Sequence, residues 1–154
     1  MRALTPQQQL ISALEHSRSR LMSVIEGLSE EQMSALAIDG WCVKDHLTHL
    51  TLWDEMRFFE ISRVARGGGA SFPETDEAGV AWINDRFAEM RRRLPLAQVL
   101  DDMRFAREMV IQAIASSPEE RLDESLFAEI GATGAMHELS HAQTIHEWRQ
   151  REGI

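Results

Sequence analysis

Apolar residues in this chain recur at steps of three and four and almost never alternate, which commits it to helices. Leu10, Leu14, Leu21, Val24, Ile25 and Leu28 keep this period, with Thr5 and Pro6 as an expected N-cap and first turn. A second helix is predicted from about Trp41 to Arg66, with His49, Leu52, Met56 and Phe59 as its apolar stripe, so His49 takes a core slot. It should stop at Gly67, Gly68 and Gly69, where helix is entropically costly. Thr75, followed by Asp76 and Glu77, is expected to open the third helix. That helix carries Val80, Ile83, Phe87, Met90 and Leu94, and Pro95 ends it. Val99, Met103, Ala106, Val110 and Ala113 mark a fourth, expected to pack antiparallel to the third across a very short connection. An acidic connector, 116–134, leads to a last helix over about 135–151.

No segment reads as a strand: Tyr is absent and no alternating run has hairpin punctuation. A length of 154 residues suits one domain, 1–154, with a single core. Long amphipathic helices with a few inward polar residues predict an all-α four-helix bundle.

Charge narrows the partners. The formal net charge is −9 and Lys44 is the one lysine, so there is no basic block to neutralise phosphates and nucleic acid is not an expected partner. No apolar run reaches the roughly 20 residues that cross a bilayer, and the polar N-terminus does not read as a signal peptide. Cys42, the one cysteine, cannot form an internal disulfide and fits a reducing compartment. The expectation is a cytoplasmic protein that binds neither nucleic acid nor membrane.

The six histidines carry the chemistry. His137 and His141, one helical turn apart, lie about 40° apart on the helical wheel, so their rings can converge. His146 lies about 180° from His137 and cannot join them. His49, on the facing helix, can complete a set of three imidazoles. His46 lies about 60° off the His49 stripe, as a second layer or an exposed residue. His16 reads as a surface residue. Three neutral imidazoles hold a divalent transition metal and leave positions open, which is the catalytic rather than the structural arrangement. Their neutrality leaves the full charge of the ion on the site, which favours an anionic ligand such as hydroxide or thiolate.

His137-Glu138-Leu139-Ser140-His141 also matches H-E-x-x-H, the helical zinc-protease signature. In the extended pattern Thr144 stands at the glycine position and Glu147 at the third histidine, and no strand is present to align a peptide. A protease is not expected. Glu138 remains as a candidate general base for the site, or as an ion-pairing residue.

The stretch from Trp41 through Lys44, Asp45, Leu47, His49 and Leu50 to Trp53 and Asp54, with the late His137–Gln143 motif, resembles the DinB-like superfamily. The resemblance spans nearly the whole chain, including Trp82-Ile83-Asn84. Cys42 departs from the usual Ser or Thr; it is expected to pack at a helix start and not to act as a nucleophile. The resemblance implies an up-down-down-up order of helices, with 67–75 as the crossover. It also implies a homodimer and a divalent metal, often zinc or nickel, on His49, His137 and His141. Relatives transfer low-molecular-weight thiols to electrophiles, carry out thiol-dependent isomerisation, or hydrolyse a toxin.

The sequence therefore points to a metal-dependent enzyme that transfers a thiol to, or hydrolyses, a small electrophile, with a low-molecular-weight thiol as possible cosubstrate. Glu138 or His46 would move the proton. Trp41, Trp53 and Trp148 are pocket-wall candidates, though core packing is expected for each. The alternatives are a non-catalytic metal- or small-molecule-binding protein of a stress response, and an acidic interaction module without metal.

Overall fold

The computed structural model describes residues 3–70 and 76–154. Helix α1 (Pro6–Ile25) opens as expected: Thr5 Oγ1 accepts from the Gln8 backbone, and Gln8 Oε1 accepts from the Thr5 backbone in return. A short α2 (Glu30–Ser34) lies between the first two predicted helices, opened by the same reciprocal cap between Ser29 and Gln32. Next, Ile38 and Trp41 exchange backbone hydrogen bonds around Asp39 and Gly40, whose φ values are 50° and 84°. Positive φ at both central positions is the type I′ arrangement, which Asp-Gly suits. That bridge is the only β pairing among the described residues.

Helix α3 (Val43–Ala65) is followed by α4 (Glu77–Arg91), which Asp76 caps through Gly79. The expected cap Thr75, and part of the expected crossover 67–75, lie outside the described residues. Helix α5 (Leu96–Ser116) starts directly after Pro95. A 3-10 turn (Glu119–Arg121) precedes α6 (Glu124–Ile130), which continues through a π-helical segment (Gly131–Met136) into α7 (His137–Glu152). The predicted connector is thus largely helix, and its glycines do not break it. A Cβ on Gly134 would stand 2.8 Å from Leu14 Cδ2, so glycine there lets α1 approach.

Two apolar clusters fix how the long helices run. Val43, Leu47 and Leu50 at the start of α3 pack with Val24 and Ile25 at the end of α1, Val99 and Met103 early in α5, and Ile145 and Trp148 late in α7. Ile61 and Val64 pack instead with Leu10, Leu14, Val110, Ile114 and Ala135. Helices α1 and α7 therefore run one way, α3 and α5 the other. The fold is all-α without a sheet, but it is not the plain four-helix bundle expected. Among the described residues there are six helical runs, counting α6 to α7 as one.

Helix α4 also corrects an expectation: it packs on α3 rather than beside α5. Lys44 Nζ donates to the carbonyls of Arg92 and Leu94 at 3.0 and 2.7 Å. Asp45 accepts two hydrogen bonds from Arg92, at 2.8 and 3.1 Å, and one from the Cys42 backbone at 2.9 Å. Burial works to raise the Asp45 pKa, but the Arg92 and Cys42 bonds hold it below the usual value.

The predicted stripe of α3 holds at His49 and Leu52, which are buried, and fails further along. Phe59 is 67% exposed, while Asp54 and Arg57 are buried among the helices. Asp54 accepts from Arg107 Nε and Nη2 at 2.8 and 3.1 Å. Arg18 joins Asp54 at 3.2 Å and Glu138 at 2.6 Å. This paired network ties α1, α3, α5 and α7 together at mid-height. Charges on the core face broke the apolar stripe that sequence reading follows.

Candidate metal centre

The site forms where α3 faces the start of α7, with α4 closing one side. His137 Nε2 stands 3.1 Å from His49 Nε2 and 2.9 Å from His141 Nε2. One ligand nitrogen from each of the three rings lies within 4.8 Å of the others. Nitrogens about 2.0–2.1 Å from one tetrahedral ion stand roughly 3.3 Å apart, so the observed spacing is close to that of a coordination shell. Three imidazole nitrogens facing one another in a largely buried place have too few protons to pair them all. A cation would satisfy them together, and an all-imidazole donor set suits a divalent transition metal.

The outer nitrogens are held as well. Asn84 of α4 is hydrogen-bonded to the His49 ring, and Trp53 Nε1, 3.2 Å from His49 Nδ1, also donates to Asn84 Oδ1 at 3.1 Å. The His137 ring bonds to the Thr133 backbone. The π segment makes this bond available: the His137 backbone N–H reaches Ala132 and Gly134 and passes over Thr133. π-Helical turns are rare and concentrate at functional sites. The third ring, His141, has its Nδ1 2.7 Å from His46 Nδ1.

All four rings are pushed toward the neutral form. Burial takes His46 down to about 4, against the pull of Asp45 and Asp39. Burial, helped by His137, takes His49 to about 3 even though the Asn84 bond opposes it. His141 falls lower still, from burial and then from His137, His49 and His46. Burial also lowers His137. Neutral imidazole is the form that binds metal.

Sequence reading placed the three rings on facing helices, and the structure brings them together. Other expectations need correction. Of the two places open to His46, it takes the second layer and not the surface: it is buried beside His141, with Trp41 edge-on to it at 5.1 Å. Trp41 and Trp53 flank His49, with ring centroids 5.3 and 6.2 Å away, so only Trp148 of the three tryptophans is a core residue. His16 is exposed and His146 half-buried. Cys42 is buried before α3, and burial raises its thiol pKa, as befits a packing residue.

Glu138, the candidate base, is fully buried, with its oxygens bound by Ser17 Oγ at 2.6 Å, Arg18 Nε at 2.6 Å and Arg107 Nη1 at 3.0 Å. These bonds tie its carboxylate to α1 through Ser17 and Arg18 and to α5 through Arg107. It lies one residue along from His137, about 100° around the helix. Asn84 and Thr133 were missed as partners of the site, because neither forms a local pattern with the histidines it serves.

A cleft of about 340 Å³ opens onto the site, lined by His49, Trp53, Val80, Asn84, Ala132, Thr133 and His137. None of these side chains carries a formal charge while the histidines are neutral.

The sequence pattern of one family, the DinB superfamily, matches residues 13–152. The chain belongs to the DinB superfamily. The chain is similar in fold to the crystal structure of an uncharacterised protein from Escherichia coli UTI89, with a TM-score of 0.81 and 16% identity over 96% of this chain and 95% of that one. No curated protein matches the chain. In this DinB chain the two signature motifs divide their work. Lys44, Asp45, Asp54 and Glu138 lock helices, while His49, His137 and His141 converge. No helix among the described residues is long and apolar enough to cross a membrane.

Proposed function

We propose that the protein is a divalent-metal-dependent enzyme that transfers a thiol to, or hydrolyses, a small electrophile. The observation that supports this most is the convergence of His49, His137 and His141 nitrogens beside a cleft large enough for a small molecule. An ion held by these residues would supply Lewis acidity and a positive charge that favours the anionic form of a thiol or of water.

The residues around the site suit that task. His49, His137 and His141 are neutral, so they add no negative charge to the centre. Asp54 and Glu138 are paired with Arg107 and Arg18, so the acids below the site are already neutralised. Asn84 and the Thr133 backbone fix two of the rings in place. Trp53, Val80 and Ala132 give the cleft an apolar wall against which an uncharged electrophile can pack and exclude water. Glu138 is read as a residue that positions helices, not as the base. The proposal includes a homodimer, as the family resemblance implies, and a cytoplasmic location, which the lone Cys42 fits.

The test is a thiol-transfer and hydrolysis screen with a generic alkylating electrophile and several bacterial thiols, on protein loaded with zinc or nickel. Turnover that stops on chelation and is absent from His141→Ala supports the proposal. A fully loaded protein inactive with every thiol and with water contradicts it, and leaves a non-catalytic binding protein as the reading.

A further inference from the structure

We propose that His46 is a positioning residue that accepts the Nδ1 proton of His141 and so keeps His141 Nε2 free to serve as a ligand. This rests on the metal-site reading above and deepens it.

Each of the three converging rings needs its Nε2 lone pair free, which puts the proton of each neutral ring on Nδ1. Beside the His49 ring stand Asn84 and Trp53, whose Nε1 is 3.2 Å from His49 Nδ1 and 3.1 Å from Asn84 Oδ1, so a proton on His49 Nδ1 leaves the Trp53 N–H to Asn84; His137 has the Thr133 backbone. For His141 the Nδ1 partner is His46 Nδ1, at 2.7 Å. The opposite direction, with His46 Nδ1–H donating, would move the His141 proton to Nε2. It would then point at His137 Nε2, 2.9 Å away, and remove His141 from the set.

The other end of His46 shows that the ring is kept for its bond to His141. His46 is 6% exposed, and its Nε2 has no hydrogen-bond partner among the described residues. An unpaired buried polar atom is costly, and an apolar side chain at 46 would avoid the cost. What the imidazole provides in exchange is its bond to His141. A carboxylate or a carbonyl is the usual orienter of a ligand histidine. A neutral imidazole orients equally well and adds no negative charge to the centre.

The experiment compares wild type, His46→Leu and His46→Asn for zinc affinity by competition with a chromophoric chelator. It adds ¹⁵N NMR of the histidine rings in zinc-loaded wild-type protein. In His46→Asn the new amide oxygen would stand near the position of the lost Nδ1, whereas His46→Leu leaves no acceptor there. The expected result is about a 10- to 100-fold weaker zinc affinity for His46→Leu and recovery of most of it in His46→Asn. In the wild type, NMR should show His141 protonated on Nδ1 and His46 on Nε2. Equal affinity in wild type and His46→Leu, or a His46 ring protonated on Nδ1, overturns the proposal and leaves the three-ligand site standing. Failure of the wild type to take up zinc overturns both. The wild-type NMR decides the matter by itself if His46→Leu does not fold.

Discussion

Glu138 and Arg107 meet at 3.0 Å between α7 and α5, both almost fully buried, one residue along from a candidate metal ligand. Removing one member of a buried, hydrogen-bonded charge pair strands the other, at a cost of about 3–5 kcal/mol. Glu138→Ala should therefore lower unfolding free energy by about that amount in urea titrations. The folded fraction should still bind metal at wild-type stoichiometry. A variant that is as stable as wild type but inactive would restore Glu138 as a catalytic base.

Asn84 should matter to metal affinity although it touches no ion. Asn84→Leu removes the acceptor that orients His49, and a loss of about 10- to 100-fold in affinity is expected. Asn84→Asp restores an acceptor with greater pull on the ring proton and should bind at least as tightly as wild type. Isothermal titration with zinc distinguishes the two.

Metal-free protein should lose stability in acid through its buried rings. Folding depresses His46 from 6.5 to about 4 and His49 to about 3. Below about pH 6.5 the unfolded chain takes up protons that the folded chain refuses. Stability is then full above that pH and is lost as pH falls toward the folded values. Each ring adds up to about 1.4 kcal/mol per pH unit to the loss. Urea melts in the presence of a chelator should show stability flat above about pH 7 and falling between about 6.5 and 4. His49→Asn should flatten that slope.

Lys44 belongs to the family signature and yet lies away from the rings, bound to two carbonyls after α4. Lys44→Met should destabilise the fold by about 2–3 kcal/mol, in line with losing hydrogen bonds made by a charged group. Its effect on zinc affinity should be under threefold. A large loss of zinc with unchanged stability would contradict the structural role.

Much of this was legible in the sequence for identifiable reasons. The pair at 137 and 141 follows from helical pitch alone, and Thr5 with Pro6 marks a helix start that is local by nature. The later part of the α3 stripe, at Phe59, was misread because Asp54 and Arg57 occupy core positions that period analysis assigns to apolar residues. The helix through Gly131 and Gly134 was missed because glycine reads as a breaker. Here it allows both a π turn and the approach of Leu14. The positions of His46, Asn84 and Trp41 depend on how α3, α4 and the Asp39–Gly40 turn meet, which no local pattern encodes.

The central claim is tested most directly by metal content of untagged protein across five substitutions. His49→Ala, His137→Ala and His141→Ala should each lose stoichiometric zinc or nickel, while His16→Ala and His146→Ala keep it. If all five variants hold the same metal as wild type, the three rings are not its ligands and the account of the site is wrong.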